Sequence, residues 1–552
     1  MTKQINKNSG FLLQGAILAA AAVIAKIIGA AYKIPLTNIL GDEGMGFYGY
    51  AFEVYAIALI LSSFSLPLAV SKLVSARVAK KEYKNAMAIF KGSILFAIGV
   101  GLLAALVVFF GADFFADKVM ASAPSAYALR VLAPGLFIVA VMGVVRGYFQ
   151  GLGSMIPTAI SQVIEQIVNA IVSILGASYL LKVGAEAAKS KNSPLLEPSY
   201  GAAGGTLGAV AGAFVSLLFV LFVLYAYKGV MKRQLKRDHG TSVESYGNIY
   251  KVLLFTIAPV IISTSVYNIN QILDQVMFSK IMAAQGHAVK DYMALLGIYT
   301  GKYNTLINVP LALASASASA MMPEVSGEFA VGNYREANTR ILQTIRLTMF
   351  LSIPAAVGLG VLSFPITGVL FPASTELSAW LLLGGSVSVV FSALSTITNS
   401  ALQSIGRQKT ALRNAAISLG LNVLVVTVIL LVSEKPGIYA VLIANIAFSV
   451  SMCFLNNLSI RKYLRFRNEI RNTYLKPLAA AAGMGVVTWI VYYGLYLLTR
   501  LEALCLLAAI VVAVPLYLIL YVWITQIPEE EMRRFPMGTK IVKVLKLLRI
   551  YT

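Results

Sequence analysis

Long apolar segments alternate with short polar links along nearly the whole chain. A transmembrane helix needs roughly 20 apolar residues, and most of these segments are that long. The pattern predicts 14 such helices, with two longer links, 182–200 and 228–250, that we expect to be loops because they are rich in Lys, Ser, Gly and Pro. The predicted spans lie near 11–34, 46–71, 87–110, 125–149, 156–181, 202–227, 251–282, 293–321, 338–363, 377–403, 410–432, 437–459, 476–499 and 503–525.

Residues 143–176 contain two apolar segments that are joined by a Gly-Leu-Gly-Ser turn. Pro157 lies just inside the second segment, where a helix tolerates proline. That segment carries polar residues at helical spacing. They are Thr158, Gln162, Glu165, Asn169 and Ser173. Because lipid cannot satisfy polar groups, we expect this polar stripe to line a cavity or to contact another helix.

The composition supports an all-α integral membrane protein. Of the 552 residues, 58% are hydrophobic and only 12% are charged, about half of the charged fraction typical of soluble domains. The two cysteines lie in apolar segments and the two histidines in separate links, so neither a disulfide framework nor a metal site is expected. The chain has no complete phosphate-binding loop and no catalytic constellation of side chains. We therefore expect neither an enzyme nor a resident cofactor.

The net charge of +22 points to membrane lipids rather than to nucleic acid. With the N-terminus placed in the cytoplasm, most of the 45 Lys and Arg residues fall at cytoplasmic ends of the spans, whereas the 23 acidic residues divide evenly. This is the positive-inside pattern, and it places both termini in the cytoplasm. The basic loops would face anionic lipid headgroups. The N-terminal apolar segment resembles a signal peptide but is too long, so we expect a retained first helix.

The chain also repeats itself. Gln150-Gly151-Leu152-Gly153 recurs as Gln403-Ser404-Ile405-Gly406, and a second block recurs at nearly the same offset, 75–86 in 326–337. An even number of helices in each half predicts a parallel repeat, with the substrate site between the halves. The expected domains are an N-lobe at 1–228, a basic linker at 229–250, a C-lobe at 251–460, two added helices at 461–526 and a basic amphipathic tail at 527–552 on the inner leaflet.

Several charged residues fall within or near the predicted spans. Each would cost roughly 2.5–3.5 kcal/mol at mid-bilayer, so they should face the protein interior. Arg130 and Arg146 are close enough to span ends to reach water, and Glu165 or Asp274 could belong to a structural ion pair. Lys26 and Lys302 have apolar or small neighbours on both sides, which favours a hydrated cavity. Glu53 fits either interpretation.

Two sets of small residues are expected to serve helix packing rather than chemistry. The first is Gly143, Gly147 and Gly151, and the second is the Ala-Ser run at 314–320. A cationic cavity, by contrast, suits an anionic cargo, because Lys and Arg replace the hydration of phosphate oxygens. The apolar exterior would let a lipid tail remain in the bilayer while its headgroup crosses.

The stretch RGYFQG followed by PTAISQVIEQIV, at 146–168, resembles a motif of the sporulation protein B-like and YtgP-like polysaccharide exporters. These exporters belong to a superfamily with the multidrug and toxin extruders and the MurJ-type lipid II flippases. LPLAVSKLVSARVAKKEYKNA, AKIIGAAYKIPLTNILGDEG and MMPEVSG also match, and the resemblance covers essentially the whole chain. It implies two six-helix lobes in a V, two C-terminal helices and alternating access.

The resemblance also implies a cargo: an undecaprenyl-diphosphate-linked cell-wall precursor, moved from the inner to the outer leaflet. In the MurJ-type pattern, cations in helix one and in the central cavity bind the diphosphate. Lys26 matches one of them, as a Lys where Arg is usual. The position of the second Arg in helix one of that pattern is occupied by Tyr32 in this sequence, and Lys33 is the next residue.

The leading hypothesis is a flippase for such a precursor, most simply lipid II. Lys26 and Lys302 would bind the diphosphate, with Arg146 helping near the cytoplasmic mouth. The other polar residues would contact sugar or peptide, or would carry a coupling cation. They are Glu53, Glu165, Asn169 and Asp274. A monovalent cation or the membrane potential is the candidate energy source, and the expected partners are the lipid-linked saccharide, membrane lipids and the cell-wall synthesis machinery.

Other functions stay open. The cargo could be another lipid-linked polysaccharide unit for capsule, teichoic acid or spore cortex. A drug or cation antiporter would need a net acidic cavity, but the spans hold slightly more cations than acids. A membrane enzyme would need clustered acidic or histidine residues at a membrane face, and a scaffold would not need cations in its spans.

Overall fold

The computed structural model describes residues 2–63, 65–240, 242–373, 376–432, 437–464, 469–533 and 538–547. All regular elements in these ranges are helices. They form two compact units, Met1–Gly301 and Lys302–Thr552. The domain boundaries expected from the sequence stay a prediction, since this division is by compactness alone.

The first unit contains eight α-helices among its described residues. They are α1 (Thr2–Ser62), α2 (Leu66–Ala79), α3 (Tyr83–Phe110), α4 (Ala126–Gly151), α5 (Ile156–Lys191), α6 (Leu196–Lys236), α7 (Tyr246–Ala284) and α8 (Val289–Gly297). A π-helical segment, Phe114–Val119, and a short 3-10 turn, Ala123–Ser125, connect α3 to α4, and a second π-helical segment, Ile298–Tyr303, follows α8.

The described part of the second unit contains eleven α-helices. They are α9 (Asn304–Ala330), α10 (Tyr334–Val361), α11 (Ser363–Leu370), α12 (Glu376–Gly385), α13 (Ser388–Ser404), α14 (Gln408–Val432), α15 (Tyr439–Leu464), α16 (Lys476–Thr499), α17 (Glu502–Thr525), α18 (Glu529–Arg533) and α19 (Gly538–Leu547). A π-helical turn at Arg471–Leu475 leads into α16.

Among the described residues, 11 helices are long and apolar enough to cross a membrane. A twelfth crossing follows if α12 and α13, which are bent by 46° at their junction, form one span. The first candidate, Ala20–Ala79, contains a break at Gly41, whose φ of 66° lies in the left-handed region that favours glycine. The predicted spans 11–34 and 46–71 lie on either side of this residue. The protein is thus a multi-pass helical membrane protein, while the count of 14 stays a prediction.

The two long links expected as loops are largely helical, so that expectation was wrong. Helix α5 continues through Lys191 and α6 through Lys236. The extension of α5 is rich in Ala and Lys, which favour helix over loop. At 36 residues, α5 is about 54 Å long and extends well beyond a hydrocarbon core of about 30 Å. It ends where Asn192 adopts a left-handed conformation, with φ 47°.

The repeat in the sequence has a counterpart in the helix boundaries. Helices α3 and α10 are both 28 residues long, and they begin at Tyr83 and Tyr334, an offset of 251 residues. The residue two places earlier has positive φ in both copies, 59° at Lys81 and 79° at Gly332. The glycines of the other repeated block, Gly153 and Gly406, also share positive φ. The same helix–turn–helix unit therefore occurs twice, although the arrangement of lobes stays a prediction.

Close helix packing in the first unit depends on glycines. A Cβ on Gly147 would lie 2.6 Å from the Pro67 carbonyl oxygen, and one on Gly151 would lie 2.7 Å from the Val74 Cβ. Helix α4 thus packs on α2 along the predicted small-residue stripe. In the second unit, Ala314 and Ala318 are 2% exposed in the core. The packing prediction is confirmed for the glycines, whereas in the run at 314–320 Ala314 and Ala318 are buried but Ser319 and Ala320 are exposed.

The basic tail is helical at α19, and this helix is not purely a surface element. Val542 is 1% exposed and joins the core of the second unit, while Lys543 and Lys546 are exposed. The expected membrane-facing tail 527–552 also includes 534–537 and 548–552, which lie outside the described residues. The described tail is therefore anchored to this core through Ile527, Met532 and Val542.

Candidate functional site

Arg146 on α4 joins three helices of the first unit. Its Nε donates to the Ser161 Oγ of α5, and its Nη2 donates to the Glu165 Oε2 of α5 and to the Ser216 Oγ of α6, each at 2.8 Å. The Arg146 side chain is 11% exposed and that of Glu165 is 24% exposed. Glu165 is therefore half of an interhelical ion pair, one of the two interpretations left open. Arg146 is held within the helix interface instead of extending to water.

The polar stripe of α5 continues into a network with α6 and α1. Ser173 Oγ donates to the Gly205 carbonyl oxygen at 2.7 Å and contacts Asn169 Oδ1 at 3.0 Å. Asn169 Nδ2 donates to the Tyr32 Oη of α1 at 3.1 Å. Tyr32 in turn lies 3.4 Å from the Tyr48 hydroxyl. Thr158, Asn169 and Ser173 are all buried, so at these positions the stripe contacts neighbouring helices, as predicted.

A close approach of α5 to α6 makes this network possible. A Cβ on Gly176 would lie 2.6 Å from the Gly204 carbonyl oxygen, and one on Gly212 would lie 2.5 Å from the Glu165 carbonyl oxygen. Gly208 leaves room in the same way for Ser173 and the Asn169 carbonyl. The glycines therefore set the depth at which the polar residues of α5 meet α6.

A second charged cluster lies between the two segments of α1 and α7. Glu53 Oε1 accepts a hydrogen bond from Gln275 Nε2 at 3.1 Å. Lys33, also on α1, is close enough to Glu53 for a direct electrostatic interaction. Tyr50 Oη donates to the Gln275 carbonyl oxygen and contacts Ser279. Because Lys33 and Glu53 are opposite in charge, each offsets the desolvation of the other.

Lys26 differs from these residues because its side chain is exposed. It precedes Lys33 by seven residues, which places both lysines on one face of α1. Among the described residues, Lys26 makes neither an ion pair nor a hydrogen bond. Ile24 and Ile27, on either side, are 48% and 56% exposed. An exposed ammonium group in a span needs water or an anion beside it.

Asp274 and Lys302 are both almost completely buried. Asp274 is 1% exposed on α7 in the first unit, next to Gln275 of the second cluster. Lys302 is 3% exposed in the second unit and lies in the π-helical segment Ile298–Tyr303. Both residues engage in interactions within the protein. Such π-helical turns often occur at functional sites.

The structure thus brings Arg146, Glu165 and Asn169 together along α5, and places Glu53 in a separate cluster. Two members of that cluster were not singled out from the sequence as site residues, Lys33 and Gln275. The signal for Lys33 was its seven-residue spacing from Lys26. Gln275 had no comparable signal, since its partner Glu53 is 222 residues away in the chain.

A family model with the description "Polysaccharide biosynthesis protein" matches residues 12–327, more than half of the chain. The chain belongs to the polysaccharide biosynthesis protein family. This match confirms the resemblance to polysaccharide exporters that the motif at 146–168 indicated.

Three relatives from Bacillus subtilis (strain 168) are similar over most of their length. The lipid II flippase MurJ is 28% identical over 87% of this chain and 89% of its own. Stage V sporulation protein B is 24% identical over 96% of this chain and 99% of its own. The uncharacterized membrane protein YabM is 26% identical over 99% of both chains.

Solved structures show the same fold. A lipid II flippase MurJ in an inward closed conformation matches with a TM-score of 0.64 and 15% identity, over 93% of this chain and 99% of that one. An inward-facing multidrug resistance transporter of the MATE family and MOP superfamily matches with a TM-score of 0.63 and 17% identity, over 80% of this chain and 94% of that one. The polysaccharide biosynthesis protein described here therefore has the fold of the MOP superfamily.

Proposed function

We propose that this protein moves an undecaprenyl-diphosphate-linked cell-wall precursor, most simply lipid II, from the inner to the outer leaflet. The main support for this proposal is Lys26. Its ammonium group is exposed on a predicted span and has no partner among the described residues. A diphosphate is the kind of anion that such a group binds. The 28% identity to a lipid II flippase supports this choice of cargo.

In this proposal Lys26 binds the diphosphate, and Lys302, which is 3% exposed, would bind it only in a conformation that exposes its ammonium group. Arg146 contributes less, because its Nε–H and both N–H groups of Nη2 are used by Ser161, Glu165 and Ser216. Among the described residues only its Nη1 is left for a ligand. The arrangement makes Arg146 mainly a positioning residue for Glu165.

The remaining polar residues contact sugar or peptide, or carry a coupling cation. They are Glu53, Glu165, Asn169 and Asp274. Asn169 is held between Ser173 and Tyr32, so its role is to present this wall of α5 in a fixed orientation. The charges of Glu53 and Lys33 compensate each other while no anion is bound. A diphosphate that enters the site would compete with Glu53 for the Lys33 ammonium group.

The proposed transport cycle is alternating access by 14 spans arranged in two six-helix lobes plus two helices, with both termini in the cytoplasm. The positive-inside distribution of Lys and Arg supports this orientation. The repeated helix boundaries of α3 and α10 support the internal duplication. A monovalent cation or the membrane potential would drive the cycle, and cell-wall synthesis enzymes would supply and consume the cargo.

The test is a leaflet assay in cells depleted of this protein and of redundant flippases. Lipid II exposed on the outer leaflet is measured with a reagent that cannot cross the membrane. We expect wild type to restore exposed lipid II and Lys26→Ala to fail. Lys251→Ala, which removes an exposed lysine at the start of α7, is the matched control and should restore it.

A second candidate cargo is another lipid-linked polysaccharide unit. The family description, which names polysaccharide biosynthesis without specifying lipid II, favours it. Unchanged exposure of lipid II in the depleted cells would reject lipid II and make this the leading candidate. The same leaflet assay with a labelled lectin for the glycan would then identify the cargo class.

A further inference from the structure

A polar cavity of about 180 Å³ lies in the second unit, and its lining residues take no part in the transport proposal. It is formed by α10, the π-helical turn before α16, and the end of α17. The lining residues that matter here are Arg346, Asn472, Lys476, Tyr521, Thr525 and Gln526. A single water molecule needs only about 10–15 Å³, so the cavity has room for a phosphate group.

The charge of the cavity favours an anion. Lys476 Nζ donates to the Thr525 carbonyl oxygen at 3.3 Å, and no carboxylate pairs with it among the described residues. Arg346 is paired with Glu469, so its charge is balanced. Lys476 is therefore the uncompensated cation. The Gln526 side chain adds an amide N–H₂ donor at the same wall.

The depth of the cavity favours a lipid as the source of that anion. Trp523, two residues before Thr525, is 74% exposed, and Leu475, directly before Lys476, is 55% exposed. Exposed tryptophans are enriched at the membrane–water interface, whereas an exposed leucine at the start of a span faces lipid. The cavity mouth thus lies where the phosphates of the bilayer lie. The proposed orientation, with both termini in the cytoplasm, would make this the inner leaflet, and the inference rests on that orientation.

We propose that this cavity is a binding site for the phosphodiester of an anionic phospholipid of the inner leaflet. Lys476 binds the phosphate oxygens, and the Gln526 amide provides a neutral N–H donor. The bound lipid bridges α10, α16 and α17. This inference does not depend on which cargo the protein transports.

The test uses the full chain purified in neutral detergent. The melting temperature is followed while a short-chain phosphatidylglycerol, the phosphatidylcholine of the same chain length, or inorganic phosphate is added. We expect stabilisation by phosphatidylglycerol at concentrations where the other two have no effect. Lys476→Gln should raise the concentration for half-maximal stabilisation at least fivefold. Arg461→Gln removes an exposed cation at the end of α15, outside the cavity, and should respond like wild type.

Three results would overturn the proposal. The first is an unchanged phosphatidylglycerol response in Lys476→Gln, and the second is an equal loss in Arg461→Gln, which would indicate general attraction of anionic lipid to a basic protein. The third is equal stabilisation by inorganic phosphate, which would make the cavity a site for the free anion. Lys476→Arg keeps the charge and provides a second test in case the Gln variant folds poorly. It should retain the lipid response, and loss of the response there also contradicts the proposal.

Discussion

The Arg146–Glu165 pair offers the sharpest prediction about stability. Arg146→Leu removes three hydrogen bonds from a charged donor and leaves the Glu165 carboxylate without its cation. Hydrogen bonds to charged groups contribute about 1.5–3 kcal/mol each, and breaking a buried pair costs about 3–5 kcal/mol. Because Glu165 is 24% exposed, water compensates part of this loss. We expect Arg146→Leu to lower the free energy of unfolding by about 3 kcal/mol.

The double-mutant cycle isolates the pair itself. Glu165→Leu alone should cost about 2 kcal/mol, because Arg146 keeps Ser161 and Ser216 as partners. The double variant should cost about 1–2 kcal/mol less than the sum of the single variants, since neither charge is then left alone. Unfolding is followed by denaturing-detergent titration in mixed micelles. Additive single effects, within about 0.3–0.5 kcal/mol, would show that the two charges do not stabilise the α4–α5 interface and would refute this reasoning.

Two further predictions concern packing and pH. Gly208→Val should lower the free energy of unfolding by at least about 1–3 kcal/mol, because its side chain would overlap Ser173 and the Asn169 carbonyl. Gly229→Val is the control, since its side chain meets open space and should cost far less. Thermal unfolding compares the two variants, and equal costs would contradict the α5–α6 packing. In the tail, hydrogen bonds from Arg533 and then Lys546 lower the pKa of Glu529. A lowered folded-state pKa stabilises the tail contact at neutral pH, and this is lost as the pH falls through that pKa. The protection of the amides at 538–547, corrected for the intrinsic exchange rate at each pH, should therefore fall in acid for wild type and be low at every pH for Glu529→Gln, and an identical pH profile in both would exclude this role.

Much of the fold could be predicted from apolar length and from polar periodicity. The polar stripe on α5 was predicted with the correct helical spacing, and the Gly-Leu-Gly-Ser motif predicted the turn at Gly153. The loop predictions for 182–200 and 228–250 were wrong, because Ser and Gly residues in both links, and Pro in the first, obscured the Ala- and Lys-rich extension of α5 and the Lys-rich extension of α6. The average composition of a link does not reveal a helix that continues beyond its apolar segment into the link.

The candidate site could be predicted only as a list of charges. The sequence shows that Glu165 needs a partner at bilayer depth, but an ion pair with Arg146 depends on how α4 and α5 meet. The electrostatic interaction of Lys33 with Glu53 depends on the break at Gly41, since the two segments of α1 meet again where Tyr32 approaches Tyr48. Burial then separates the charges: Lys302 is enclosed and engaged, while Lys26 is exposed.

The most direct test of the central claim is a flipping assay with the purified protein in liposomes. A labelled undecaprenyl-diphosphate-linked saccharide is incorporated, and the fraction that reaches the outer leaflet is measured with an impermeant enzyme that cleaves its headgroup. We predict accelerated exchange with wild type and with Lys251→Ala, and a rate at or near that of empty liposomes with Lys26→Ala. Exchange no faster than in empty liposomes for wild type, or full activity of Lys26→Ala, would contradict the account.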